Sequence, residues 1–295
     1  MYHGEYFWSL NTMTLKRVGI IGAGTMGNGI AQTVALAGID VVLIDVSQAA
    51  LASGFATMVT SLQRLTSKGI LEPALSEAAL ARIERSMDYA SLRDAELVIE
   101  AATENVALKR DILKKVEAVV SSGAIIASNT SSISITEMAA TLDDPSRFVG
   151  MHFFNPVPLL PLVEVIRGLQ TAEDVANSVE QFARDLNKTP ISVNNSPGFV
   201  VNRILVPMIN EAFFVLAEGV ASAAEIDAGL KLGANHPIGP LGLADLIGLD
   251  VCLSVMDVLT NDLGDQKYRA SPLLREMVAA GRLGRKSKQG VYSYS

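Results

Sequence analysis

The chain has 295 residues, 49% hydrophobic and 5% aromatic, with 31 acidic against 24 basic residues and a net charge of −7. This is material for about two domains with sizeable cores, not for a disordered chain, and without a long basic stripe it argues against nucleic-acid binding. The single cysteine, Cys252, rules out an internal disulfide framework and suits a reducing cytoplasm.

Residues 1–14 read as a tail, poorly ordered or docked by Tyr2, Tyr6, Phe7 and Trp8, with Met13 as a second potential start. The tail lacks the basic start and apolar run of a secretory signal. Residues 18–39 carry no charge and are long enough for a membrane span, but Gly19, Gly22, Gly24, Gly27, Gly29 and Gly38 suit a strand, a tight turn and a buried helix better. No membrane partner is expected. Strands are predicted at 17–21, 41–45, 97–101, 124–128, 148–152, 162–166 and 189–193. Helices are predicted at 26–37, 49–67, 76–85, 106–120 and 172–186. Alternating strands and helices predict an α/β fold with a doubly wound, mostly parallel sheet.

After Asn195-Ser196-Pro197-Gly198 the strand signal fades, which places a domain boundary near Pro197. Helices are predicted at 199–218, interrupted by Pro207, and at 225–231, 243–259 and 272–280. The expected division is a tail over 1–14, an α/β domain over 15–197 and an all-helical domain over 198–295. The helical part is large enough for its own core and apolar enough to pair with a second copy of itself. Cys252, in the apolar run 249–255, reads as a packed thiol. No internal repeat is visible.

Gly22-Ala23-Gly24-Thr25-Met26-Gly27 follows an apolar strand and opens a helix. Gly22 allows the tight turn, Gly24 lets the backbone approach a pyrophosphate, and Gly27 lets helix and strand pack closely. The phosphates then meet the helix N-terminus. Asp45 ends the next strand, eighteen residues past Gly27. A carboxylate there accepts ribose hydroxyls and repels a 2′-phosphate, which favours NAD over NADP. This is the Rossmann-type dinucleotide pattern. The alternatives are a ligand-free glycine contact and, for Asp45, a plain surface charge.

His152 ends an apolar strand and precedes a stiff loop, Asn155-Pro156-Val157-Pro158-Leu159-Leu160-Pro161, after which a second strand carries Glu164. If the two strands form a hairpin centred on Pro158, residues 152 and 164 lie opposite one another, each six residues away. A carboxylate there fixes the imidazole tautomer and raises its basicity. The alternative is a satisfied core histidine. No metal cluster is read from the sequence.

On these residues the chain resembles the L-3-hydroxyacyl-CoA dehydrogenase family, and most closely its single-function bacterial members. The matching segments are the glycine turn, Ser128-Asn129-Thr130-Ser131-Ser132, His152-Phe153-Phe154-Asn155-Pro156, Leu162-Val163-Glu164-Val165, Pro197-Gly198-Phe199-Val200-Val201-Asn202-Arg203, and the C-terminal Gly284-Arg285-Lys286 with Gly290-Val291-Tyr292. The resemblance runs from about Leu15 to Ser295. It implies NAD-dependent interconversion of (S)-3-hydroxyacyl-CoA and 3-oxoacyl-CoA, with short acyl chains such as 3-hydroxybutyryl-CoA and acetoacetyl-CoA. His152 would be the general acid–base and Glu164 its partner, while Ser131 and Asn202 would bond the substrate oxygens. Thr25 and Met26 would join the cofactor turn. Glu104 and Lys109 would line the nicotinamide-ribose side, and Ser61 and Lys68 would touch CoA, in a looser match. Pro161 departs from the family, where many relatives carry lysine.

The resemblance also implies a cytoplasmic homodimer paired through the helical domain, and closure of that domain to exclude water. Fatty-acid metabolism is one setting among several that would use this step. Plainer readings stand beside these roles: Ser131 as the cap of a helix over 132–140, Asn202 bonded within its own helix, Lys68 as a solvated lysine, His236 and His3 as bystanders. Two rival functions remain, a dehydrogenase of a free hydroxy acid or sugar acid and a non-catalytic NAD-binding protein.

Overall fold

A computed structural model describes residues 15–295. The tail expected over 1–14, with His3 and Met13, lies outside the described residues. The chain divides into two units, one running to Asn195 and the other spanning Ser196–Ser295.

The first unit is built on eight strands: β1 (Arg17–Ile21), β2 (Asp40–Ile44), β3 (Ile83–Ser86), β4 (Leu97–Glu100), β5 (Ile125–Ser128), β6 (Phe148–Phe153), β7 (Leu162–Arg167) and β8 (Thr189–Asn194). They form one sheet in the order β3-β2-β1-β4-β5-β6-β7-β8. Every neighbouring pair is parallel except β6 and β7, which run antiparallel. The helices are α1 (Thr25–Leu36), α2 (Gln48–Ser67), α3 (Pro73–Ala81), α4 (Val106–Glu117), α5 (Ile135–Ala139) and α6 (Glu173–Asp185). The central strands read as continuous apolar runs because both faces are covered: Val18, Ile20, Leu43, Leu97 and Ile99 are fully buried. On α6 the buried residues Ala176, Val179, Phe182 and Ala183 recur at helical spacing, so one stripe faces the core. The chain winds one way from β1 to β3 and the other way from β4 onward. The carboxyl ends of β1 and β4 therefore flank the switch point, where ligands bind in such sheets.

Two local expectations fail here. The helix expected over 76–85 is α3, ending at Ala81, followed by the edge strand β3. β3 is only Ile-Glu-Arg-Ser, with two exposed polar residues, so nothing local marks it; it forms because β2 offers it a ladder. The helix expected over 132–140 is the single turn α5, capped by Ser134, whose side chain accepts the Glu137 N–H. The cap role considered for Ser131 therefore belongs to Ser134.

The second unit holds α7 (Val201–Ala217), α8 (Ala223–Gly233), α9 (Pro240–Ile247), α10 (Leu249–Leu263) and α11 (Pro272–Ala279). Helix α7 passes through Pro207 without ending. Burial of Val206, Ile209, Ala212 and Phe213 on one face outweighs a lost backbone bond, a cost of about 3 kcal/mol. The helix expected over 243–259 is two helices, broken at Gly248 with φ 108°, a conformation glycine adopts without strain. Cys252 is fully buried among Leu241, Leu249, Met256 and Leu259. Asp245, 1% exposed, accepts the backbone N–H groups of Val291 and Tyr292 and the Tyr294 hydroxyl. A Cβ on Gly290 would fall 1.9 Å from its Oδ1. The C-terminal Gly-Val-Tyr motif is thus an anchor for the chain end. Among the described residues no helix is long and apolar enough to cross a membrane.

Candidate active site

The turn after β1 is shaped by its neighbours. A Cβ on Gly22 would sit 2.7 Å from the Ala101 carbonyl oxygen, and one on Gly27 only 1.7 Å from the Gly22 carbonyl oxygen. Gly24 is the opposite case, since a Cβ there meets no described atom within 4 Å. Its backbone faces open space at the head of α1. No side-chain cap is seen on α1 among the described residues, and its first turn, Thr25 and Met26 included, carries no acid. The first N–H groups and the positive end of the helix dipole are therefore directed at whatever anion enters. Asp45, half-buried just past β2, accepts the Ala23 N–H at 2.8 Å with one oxygen and the Ser47 N–H at 2.9 Å with the other. Each oxygen has a further lone pair for an outside hydroxyl. An anion cradle beside an anchored carboxylate fits the pyrophosphate and ribose of NAD.

On β6 and β7, His152 stands directly across from Glu164. His152 is 6% exposed, Glu164 fully buried, and Nδ1 lies 2.7 Å from Glu164 Oε2. A carboxylate oxygen accepts, so Nδ1 donates to Glu164. The Phe154 ring packs against the imidazole, with centroids 4.5 Å apart. Asn129 Oδ1 accepts the Phe153 N–H at 2.8 Å, which pins the Ser128-Asn129-Thr130 segment to the strand carrying His152.

That segment leads to a second cluster at the end of β4. Glu104 Oε1 accepts from the Thr130 hydroxyl, the Ser131 N–H at 2.8 Å and the Ser131 hydroxyl at 3.2 Å. Desolvation pushes the Glu104 carboxyl up, but the Lys109 ammonium and these hydrogen bonds outweigh it and hold it below the usual carboxylate range. Lys109 is 1% exposed. It donates to Glu100 Oε1 and Oε2 at 2.8 and 2.9 Å and to the Ala102 carbonyl, and pairs with Glu104 Oε2 at 3.2 Å. Lys109 is thus held inside this cluster, joining Glu100 to Glu104. Glu100, equally buried, was not anticipated from the sequence; its only signal is an acid ending an apolar strand.

Helices α1 and α2 and the loop after β6 border an open cavity of about 480 Å³, lined among others by Gln32, Ser61, Arg64 and Asn155. Gln32 is 1% exposed, and its amide Nε2 has no hydrogen-bond partner among the described residues, so the wall holds a buried donor. Lys68 caps the end of α2 and is exposed, beyond the lining residues. The lining cation is instead Arg64, one turn earlier. The spacing of Ser53, Thr57, Thr60, Ser61 and Arg64, three and four apart on one helix face, was the signal that locates it. Asn202 lies in the first turn of α7, in the helical unit. His236 sits between α8 and α9. Among the described residues no group of three or more His, Cys, Asp or Glu could hold a metal ion.

A doubly wound sheet with a pyrophosphate cradle at its switch point and a carboxylate-backed histidine is the framework of an NAD-dependent oxidoreductase. The family model for the 3-hydroxyacyl-CoA dehydrogenase NAD binding domain matches residues 17–196, and that for the 3-hydroxyacyl-CoA dehydrogenase C-terminal domain matches residues 198–294. A 3-hydroxybutyryl-CoA dehydrogenase of Bradyrhizobium diazoefficiens is 52% identical over 95% of this chain and 96% of its own. One of Clostridioides difficile is 48% identical over 95% of this chain and 99% of its own. The crystal structure of (S)-3-hydroxybutyryl-CoA dehydrogenase from Ralstonia eutropha matches with a TM-score of 0.93 at 59% identity, covering 96% of this chain and 100% of that one. The chain belongs to the 3-hydroxyacyl-CoA dehydrogenase family.

Proposed function

We propose that the chain interconverts (S)-3-hydroxyacyl-CoA and 3-oxoacyl-CoA with NAD, and that 3-hydroxybutyryl-CoA and acetoacetyl-CoA are its substrate pair. The observation that carries this reading is the 2.7 Å contact between His152 and the fully buried Glu164 in a chain of this family. His152 Nε2 takes the 3-hydroxyl proton in oxidation and returns it in reduction. Glu164 holds the ring in one tautomer and stabilises the imidazolium that forms. The Ser131 hydroxyl and Asn202 amide bond the substrate oxygens and favour the carbonyl geometry. Glu104 holds Ser131 through its N–H. The turn from Gly22 to Gly27, with Asp45 and Glu104, holds the cofactor, and Ser61 and Arg64, with Lys68 beyond them, meet the CoA portion. NAD, when bound, supplies the hydride acceptor and donor.

The test follows NADH absorbance with acetoacetyl-CoA and with free acetoacetate. Turnover of the thioester alone is expected. Equal turnover of the free acid overturns the CoA assignment, and NADH binding without any turnover leaves a non-catalytic binder. His152→Ala is expected to keep NADH binding and lose turnover by about 10²- to 10⁴-fold. We further infer a homodimer paired through the helical unit, because Ile204, Val220 and Leu232 are 68%, 68% and 87% exposed there and self-association covers such side chains. Light scattering reads this directly. A cytoplasmic setting and a place in fatty-acid metabolism belong to the same reading.

A further inference from the structure

Lys188, between α6 and β8, is a buried cation that the reaction does not use. It is 8% exposed, and its Nζ donates to the Val157 carbonyl at 2.6 Å and the Leu160 carbonyl at 2.9 Å. The next residue, Thr189, donates its N–H to the Pro161 carbonyl at 2.7 Å. Two consecutive residues thus take up three carbonyls of the loop 155–161. Charge-assisted bonds of this kind are roughly twice as strong as neutral ones. The loop is pressed from its other side by α1: a Cβ built on Gly29 would stand 3.0 Å from Val157 Cβ and 3.2 Å from its Cγ2. Between these two constraints, Asn155 to Pro158 form one wall of the 480 Å³ cavity whose other walls carry Gln32, Ser61 and Arg64. His152, by contrast, is held by the β6–β7 ladder and by Glu164.

From this geometry we propose that Lys188 is a positioning residue for substrate: it clamps the loop after β6 and so sets the width of the cavity that receives the pantetheine arm of the acyl-CoA. The proposal rests on the reading of that cavity as the acyl-CoA site. It separates binding from chemistry, because the clamp holds the wall and the ladder holds the imidazole.

Lys188→Met keeps the length of the stem and removes the donors. In steady-state assays it is expected to raise KM for acetoacetyl-CoA about tenfold, the scale of one lost binding contact, with kcat within about threefold and KM for NADH unchanged. Gly29→Ala is the second variant, because it displaces Val157 by a few tenths of an ångström without touching Lys188 and improves helix propensity. It is expected to raise the same KM about threefold with no fall in melting temperature. If Lys188→Met does not fold, Gly29→Ala decides alone. A folded variant whose KM for acetoacetyl-CoA is unchanged overturns the clamp, as does a loss of kcat with both KM values untouched. Wild-type protein that ignores acetoacetyl-CoA overturns the functional reading first and the clamp with it, so the two failures are told apart.

Discussion

Glu164→Gln isolates the charge behind His152. The substitution keeps the size of a side chain that is fully buried and leaves an amide oxygen able to accept from Nδ1, so orientation survives while the negative charge goes. At 2.7 Å the bond belongs to the charge-assisted class, about 1.5–3 kcal/mol net. Two unit charges with centres about 4 Å apart and an effective dielectric near 20 interact by about 4 kcal/mol, which is of the same order. In the oxidation direction the imidazolium exists only after the proton has moved, so there the loss falls on the reacting state and not on bound substrate. A loss of about 2–4 kcal/mol corresponds to about 30- to 10³-fold in kcat/KM at 1.4 kcal/mol per tenfold. Steady-state oxidation of (S)-3-hydroxybutyryl-CoA with NAD, followed by NADH formation, gives the ratio, and NADH fluorescence titration checks that cofactor affinity stays within about twofold of the wild type. A variant within about threefold of wild-type kcat/KM would show that the carboxylate does not stabilise the charged ring, and the acid–base reasoning would fall with it.

Asp45→Ala removes both a ribose acceptor and the anchor of the Ala23 N–H; KM for NADH is expected to rise about tenfold or more while KM for NADPH does not, and an unchanged preference would refute the ribose role. Cys252 is fully buried, and desolvation first, with the Asp250 charge next, pushes its thiol up to about 12. An aromatic disulfide reagent at mildly alkaline pH is therefore expected to leave the native protein untouched and to titrate the thiol only in denaturant. Burial lowers Lys188 from 10.5 to about 8. Between those values the unfolded chain binds more protons than the native one, so this group's contribution makes stability rise with pH across that window. The rise amounts to about 3 kcal/mol at most. Urea unfolding of wild type and Lys188→Met over this range should show the wild-type curve gaining relative to the variant; parallel curves would mean the amine is not desolvated.

Legibility followed the range of the forces involved. The glycine turn was readable because its spacing is local and the clash at Gly27 comes from Gly22 itself, although the wall at Gly22 is the distant Ala101 carbonyl. The pairing of His152 with Glu164 was readable because a short hairpin with six residues on either side of Pro158 leaves little freedom of register. Strand β3 was not readable, because its stability comes from β2 and not from its own four residues. Nor was the break between α9 and α10, where Gly248 sits in a run otherwise apolar enough to continue. The cavity is an intermediate case. Its α2 face was present as a polar stripe, yet which cation belonged to it, Arg64 or Lys68, depended on where α1 and the loop came to lie.

Taken alone, the amino-acid order determined the alternation of strands and helices, the dinucleotide turn and the opposition of an imidazole to a carboxylate, since each arises from neighbours close along the chain. Only the folded structure decided what buried charges do. The resemblance placed Lys109 on the nicotinamide-ribose side, and nothing in the sequence singled out Lys188. Their desolvation, and the Glu100, Val157 and Leu160 oxygens that meet them, come from segments up to 31 residues away. Local sequence does not encode what a side chain meets once distant strands and loops have packed around it.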